Sequence, residues 1–440
     1  MKRVLVIALI FGCIFIFPST VLAKEDIPST GWTGHGLYLL GNNNIHLNRV
    51  DIHITVNADR TSTVVAEYEL QNKENKMVNA YFGVPEHEVE LQEFESQVTR
   101  KTQDGVLSYR YGNDRVSGDK INEKVKGLNT DYKEWRTWYA PFEAGEKRTI
   151  KISYKVKNKE ISNGRYFISF QLDHINSWKG SPKDIHVNAY FDNKEVKAYN
   201  FGKVFRIKPD KIEENFTLKW SFDSIENNES IDFDYYYVDR EIIEFLKSEG
   251  SSRVKAIAVA YGNKEYAQVI QQGKEYIQSS QGENFQKEIY FLMADAYLQL
   301  GQPEESLILY ELIEGEPIFY KGLQQKAQDF IGYNKINCYL QNKDYKDMYQ
   351  LILKIQEDKD YNFIFKDWAN QQTSEIPQKI IEQVQEENRK PEGLEKLRLE
   401  ISSGKYNNII MIALGILALI ISIFYIRYKR KKDKNTLFKK

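Results

Sequence analysis

The sequence predicts a multidomain chain: an all-β sandwich region, then an all-α region of helical repeats, then one transmembrane helix. Three observations predict it. β-branched and aromatic residues alternate with period two from about Asn48 to about Val238. The periodicity changes to 3.6 near Asp239, and Ile409–Ile426 is an uncharged apolar run.

The two ends are set apart from the rest of the sequence by composition. Lys2 and Arg3 precede an apolar stretch from Val4 to Phe17, with Val21-Leu22-Ala23 ahead of charged Lys24. A basic start, a short apolar core and a small residue at the end predict a signal peptide over 1–23. The 18 residues of Ile409–Ile426 span about 27 Å as a helix at about 1.5 Å per residue. Flanked by Tyr406, Tyr425 and Tyr428, they predict a membrane span over 406–426. Arg427, Lys429, Arg430, Lys431 and Lys432 follow, so the tail 427–440 is expected on the cytoplasmic side and the N-terminal region outside the membrane.

Charge and cysteine content exclude several classes. The net charge of the 440 residues is −1; setting aside Lys2, Arg3 and a tail with eight Lys/Arg against Asp433 leaves the predicted outer part near −10. Such a balance argues against nucleic acid as a partner. Cys13 falls in the signal peptide and Cys338 stands alone, so no disulfide framework is expected.

The β region, 24–240, is expected as one or two sandwich domains. Val50–Val56 and Ser62–Leu70 alternate on either side of the turn residues Asn57–Arg60 and read as a hairpin. Further strands are predicted at 79–84, 94–99, 106–111, 147–156, 166–172, 184–191, 204–207, 216–222 and 231–238. The stretch Trp135–Ile150, with Ser177-Trp178-Lys179-Gly180, resembles the β-rich ectodomain of poorly characterised bacterial envelope proteins. Trp135, Trp138 and Tyr139 are candidates for an aromatic platform, since flat rings stack on the apolar faces of a glycan; their alternative role is core packing.

From Asp239 helix formers dominate, with Gly250-Ser251-Ser252 as a junction. Within Glu288–Glu314, Tyr290, Met293, Ala294, Tyr297, Gly301, Ser306, Tyr310 and Ile313 fall at the characteristic places of the tetratricopeptide repeat, with Pro317 shortly after. This unit resembles that family, and weaker copies flank it around Tyr266 and Tyr345. The spacing from Tyr266 to Pro303 to Tyr345 is 37 and then 42 residues, so extended hairpins are expected over 250–373. A helical stalk is expected over 374–405. The resemblance implies a partner-binding groove, with Tyr290, Tyr297, Tyr310 and Tyr339 as its candidate residues.

Catalytic motifs are absent from the sequence: no Gly-x-Ser-x-Gly, no His-Glu-x-x-His, no phosphate loop and no histidine spacing suited to a metal. The expectation is therefore a non-enzymatic scaffold or assembly adaptor of a bacterial cell envelope, without cofactor or metal. Its partners are expected among envelope proteins, with membrane contact through the C-terminal helix. The alternative is an adhesion or sensing module that binds a glycan or cell-wall polymer through the β region.

Overall fold

The computed structural model describes residues 34–389, except 42–43, 86–88, 103–104, 115–118, 122–131, 193–195, 227–228, 280–283 and the single positions 133, 163, 181, 183, 214 and 320. Its largest sheet has eight strands in the order β14 (Lys211–Ile212), β15 (Leu218–Phe222), β12 (Ile185–Phe191), β2 (Ile45–Val56), β3 (Thr61–Asn72), β9 (Lys147–Lys157), β5 (Val89–Thr102) and β6 (Gly105–Asp114). Neighbours are antiparallel except β12 and β2, which run parallel from Ile185 beside Val50 to Phe191 beside Val56. The alternation in β2 buries Val50, Ile52, Ile54 and Val56 on one face.

Two four-stranded sheets complete the β structure. One has the order β1 (Tyr38–Leu39), β4 (Val78–Pro85), β8 (Trp135–Phe142) and β7 (Asp119–Ile121); the other β10 (Lys159–Ser162), β11 (Arg165–Gln171), β16 (Ser230–Tyr236) and β13 (Phe201–Phe205). The segment leading into β1 is held by side chains. Tyr154 Oη accepts from the His35 amide and donates to its carbonyl, both at 2.9 Å, and Tyr68 Oη accepts from the Leu37 amide at 3.0 Å. A Cβ on Gly36 would lie 2.1 Å from the His174 ring, so only glycine passes there. Burial pushes His174 down to about 3, so its ring is neutral, with Nδ1 donating to the Gln171 carbonyl and Nε2 accepting from Tyr68.

Every residue of β16 is buried, including Asp232 and Asp234. One face of the strand meets the eight-stranded sheet: the Phe233 ring stacks with Trp220 at 6.3 Å, and Tyr235 meets Phe191 at 5.5 Å. On the other face Asp234 accepts from Arg165 Nε at 2.6 Å and from the Val204 amide at 2.8 Å, while Ser169 Oγ donates to Asp232 at 2.6 Å.

Helices cover that second face. They are α1 (Val238–Glu249), α2 (Ser252–Gly262), α3 (Tyr266–Ser279), α4 (Gln286–Gln299), α5 (Pro303–Ile313), α6 (Lys321–Asn342), α7 (Tyr345–Glu357) and α8 (Phe363–Gln371). Lys326 of α6 donates to the Phe201 carbonyl, pairs with Asp329 at 2.7 Å and lies 5.1 Å over the Tyr236 ring. Asn362 Nδ2 donates to the same carbonyl at 2.8 Å, and its Oδ1 accepts from the Phe365 amide, capping α8. Cys338 is buried against Ser306, and burial pushes its thiol up to about 11, which makes it a packing residue.

Three turns between successive helices repeat one geometry. Lys264, Gly301 and Lys343 each have a positive φ of 62°, 72° and 62°. In each turn the next amide reaches back to the helix: Glu265 to the Ala260 carbonyl, Gln302 to Tyr297 and Asp344 to Tyr339, all at 2.9 Å. This is the left-handed cap that ends a helix and returns the chain.

The predicted fold class is corrected accordingly. Residues up to Glu375 group as one unit of mixed α/β structure, rather than a β-sandwich domain followed by a separate tetratricopeptide array and a transmembrane helix. The reason lies in β16, whose polar face reads as solvated by its period but is buried under helices. The described residues from Ile376 to Arg389 belong to a second unit and hold α9 (Gln378–Glu387), in which Val384 is buried.

The signal peptide 1–23, the span 406–426 and the tail 427–440 lie outside the described residues. Among the described residues no helix is long and apolar enough to cross a membrane. The 22-residue α6 has the length but carries Lys326, Asp329 and Lys335. The single-pass membrane placement, with its outer region and cytoplasmic tail, is therefore not carried further.

Two stability predictions follow from these contacts. Replacing Gly301 by Ala lowers stability by about 1 kcal/mol through its φ alone, since a Cβ there meets nothing within 4 Å; Lys343→Gly raises it by a fraction of that. Urea unfolding midpoints check both signs. Lys326→Met leaves Asp329 buried without its cation and lowers stability by about 3 kcal/mol or more, and Asp329→Leu in the same chain restores much of the loss. Equal midpoints for the single and double variants would count against the ion pair.

Candidate functional site

A cavity of about 520 Å³ lies where α1, α2, α4 and α6 meet the turn before β13. Each element enters it for a local reason. The start of α1 is fixed by the β2–β3 turn: Tyr237 Oη donates to the Asn57 carbonyl at 2.8 Å, and Arg60 Nη2 donates to Glu241 at 3.0 Å and to Glu244 at 2.9 Å. That anchoring brings Asp239 and Ile243 to the cavity. The short helical turn Ala198–Asn200 is tied to the sheet through Asn200 Nδ2, which donates to the Tyr236 carbonyl at 2.8 Å, and it presents Tyr199.

The polar centre of the wall is Asp295 of α4, only 4 % exposed. Tyr261 of α2 donates to it at 2.7 Å, and the amides of Gln299 and Asn334 donate at 3.3 Å. Asn334 Nδ2 also donates to Tyr310 Oη at 2.9 Å. Burial holds the Asp295 carboxyl above the usual carboxylate range, against the pull of these donors. The Tyr199 and Tyr261 hydroxyls are pushed well above their ordinary value by burial and by the charges of Asp239 and Asp295.

Aromatic rings line the rest. Tyr199 meets Tyr333 edge-on at 5.2 Å and Phe330 at 4.9 Å; Tyr333 stacks on Trp368 at 4.1 Å, and Tyr261 meets Tyr266 edge-on at 6.2 Å. Lys197 and the exposed Lys264 also border the cavity. Among the described residues no cluster of three or more His, Cys, Asp or Glu is placed to hold a metal ion.

The four tyrosines predicted for the groove do not line this cavity. Tyr310 is wholly buried, one hydrogen bond behind the wall through Asn334. Tyr297 and Tyr339 are buried with Lys274 and Lys335 over their rings at 5.6 and 6.0 Å, and Tyr290 is half-buried on α4. The predicted aromatic platform also divides. Trp135 is 1 % exposed and packs against Tyr38 at 5.3 Å. Trp138, one strand position from Tyr139, faces the Phe82 ring at 6.1 Å, while Tyr139 is 70 % exposed and stacks on Tyr81 at 4.2 Å.

Sequence reasoning passed over Tyr199, Tyr261, Asp295 and Asn334. A signal for one of them was present: Asp295 is the sole charge in the apolar run Ile289–Leu298, and an acid there is buried only at the cost of its hydration.

No protein-family model matches the chain, and no curated protein matches it. Solved structures give distant likenesses. A candidate nutrient-binding protein from Legionella pneumophila is 12% identical over 69% of this chain and 97% of its own, with a TM-score of 0.38. A candidate protease from Parabacteroides distasonis is 11% identical over 66% of this chain and 59% of its own, at 0.24, and an M1 zinc metallopeptidase from Deinococcus radiodurans is 10% identical over 78% and 90%, at 0.19. At these scores the likenesses carry no functional argument.

Proposed function

We propose that the chain is a non-enzymatic binding module, an interaction scaffold whose recognition site for partner proteins is the cavity walled by α1, α2, α4 and α6. The observation that supports this reading is the wall itself. Its side chains offer a buried carboxylate, amides and tyrosine rings, groups that orient a ligand through hydrogen bonds and ring contacts. Part of the wall is held in place: Tyr261 and Asn334 donate to Asp295, and Asn334 donates to Tyr310 behind it, so that recognition there costs little ordering of the protein.

Peptides selected from a random library on the full chain test the reading. Asn337 is half-buried, lines the cavity and hydrogen-bonds the Tyr333 hydroxyl, so Asn337→Trp fills the space at the loss of that one bond. Selected peptides are expected to bind this variant about 10-fold or more weakly, while Asn337→Ala, which loses the same hydrogen bond without filling the space, keeps binding within a few-fold. Undiminished binding would place recognition elsewhere.

The stacked pair Tyr81 and Tyr139 supports a second reading, a glycan held on the β region. Its test is cosedimentation with an insoluble cell-wall polysaccharide. Tyr139→Ala is expected to abolish it, and retention by that variant would end the glycan reading.

A further inference from the structure

We propose that the outer face of α5 docks an amphipathic helix of a partner protein, one whose apolar stripe is bordered by lysines or arginines. This surface is separate from the cavity, since no residue of α5 lines that space. α3, α5 and α7 each follow one of the three left-handed turns, at Lys264, Gly301 and Lys343, so their residues correspond by count from those positions. The inward positions agree: Val269, Ser306 and Met348 are buried, and so are Tyr276, Ile313 and Ile355. The outward positions differ. Where α3 exposes Gln271 and Glu275, and α7 exposes Gln350 and Lys354, α5 carries Ile308 and Leu312, each 59 % exposed. Leu307 and Leu309 are half-buried to either side, so α5 is apolar nearly all round, the character of a helix covered on every face. Ile308 and Leu312 stand one turn apart and form a ridge of the kind that packs into the groove of a second helix.

The border of this ridge selects the partner's charge. Glu304 lies one turn before Ile308 and Glu311 just before Leu312; both are exposed, and neither forms an ion pair among the described residues. Of the cations on the flanking helices, Lys274 of α3 stands near Glu305, and Lys354 of α7 is held by Glu314 at 3.0 Å. Cationic side chains beside an incoming apolar stripe would meet Glu304 and Glu311 with opposite charge. A second copy of this chain would instead bring like carboxylates together across the ridge, and an anionic lipid surface would meet the same repulsion.

The test is fluorescence anisotropy of the full chain with three helical peptides: a leucine stripe flanked by lysines, the same stripe flanked by glutamates, and the lysine form with serines in the stripe. The first is expected to bind about 10-fold or more tightly than the others. Ile308→Gln with Leu312→Gln, which gives α5 the polar outer positions of α3 and α7, is expected to remove that preference. Glu304→Lys with Glu311→Lys is expected to transfer it to the glutamate-flanked peptide, an outcome that loss of folding cannot mimic. Asn337→Trp is expected to leave all three affinities unchanged. Equal binding of the three peptides, binding of none, or binding that survives the glutamine pair overturns the proposal. Self-association of the full chain, or its cosedimentation with phosphatidylserine vesicles, overturns it as well if the glutamine pair abolishes it, and gives the face to a second copy or to lipid.

Discussion

The Phe201 carbonyl is the point on which the arrangement depends. It lies at the start of β13 and accepts from two helices, through Lys326 of α6 and Asn362 at the cap of α8. A buried carbonyl with no donor is costly, and a buried lysine with no acceptor is more so. Meeting both needs at one place fixes where α6 crosses the sheet. Aromatic contacts reinforce this seat, with Phe363 against Phe205 at 4.8 Å and Phe330 against Tyr199 at 4.9 Å. The position of α6 then decides where Tyr333, Asn334 and Asn337 stand, and with them one wall of the cavity.

The opposite wall has a separate origin. Arg60, itself at a positive φ of 67°, turns from the β2–β3 hairpin to hold Glu241 and Glu244 of α1. The β region thus sets both walls: the α1 side through the hairpin turn, the α6 side through Phe201. Between them Asp295 is held by donors from α2, α4 and α6. The same left-handed turn follows α2, α4 and α6, and residues of all three helices line the one cavity.

The legible parts of the sequence were local. The alternation of Val50, Ile52, Ile54 and Val56, and the turn residues Asn57–Arg60, located a hairpin, because one face of those strands is buried and the other is not. Gly301 marked a turn that its own backbone freedom permits; Lys264 and Lys343 hold a similar positive φ without that freedom, and only the repeat spacing around Tyr266 and Tyr345 pointed to their turns. Burial that depends on distant parts of the chain left no comparable trace. Asp232 and Asp234 sit at alternating positions like solvent-facing residues, yet Ser169 and Arg165 hold them under helices made of residues far along the chain. The tyrosines singled out as groove residues do not line the cavity: Tyr297, Tyr310 and Tyr339 are buried, because a repeat pattern specifies the face on which helices pack and says nothing of the concave one. For that reason Asn334, which bonds to Tyr310 from the cavity wall, left no signal in the pattern.

The separation between Phe201 and Asn362, 161 residues, bears on how the chain is made as well as on how it is held. At a synthesis rate of about 5–20 residues per second, the ribosome delivers β13 on the order of 10–30 s before the last donor to its carbonyl. Until Asn362 emerges, the Phe201 carbonyl has only Lys326 or water as a donor, so the docking of α8 on β13 is the last helix contact of this unit that synthesis permits.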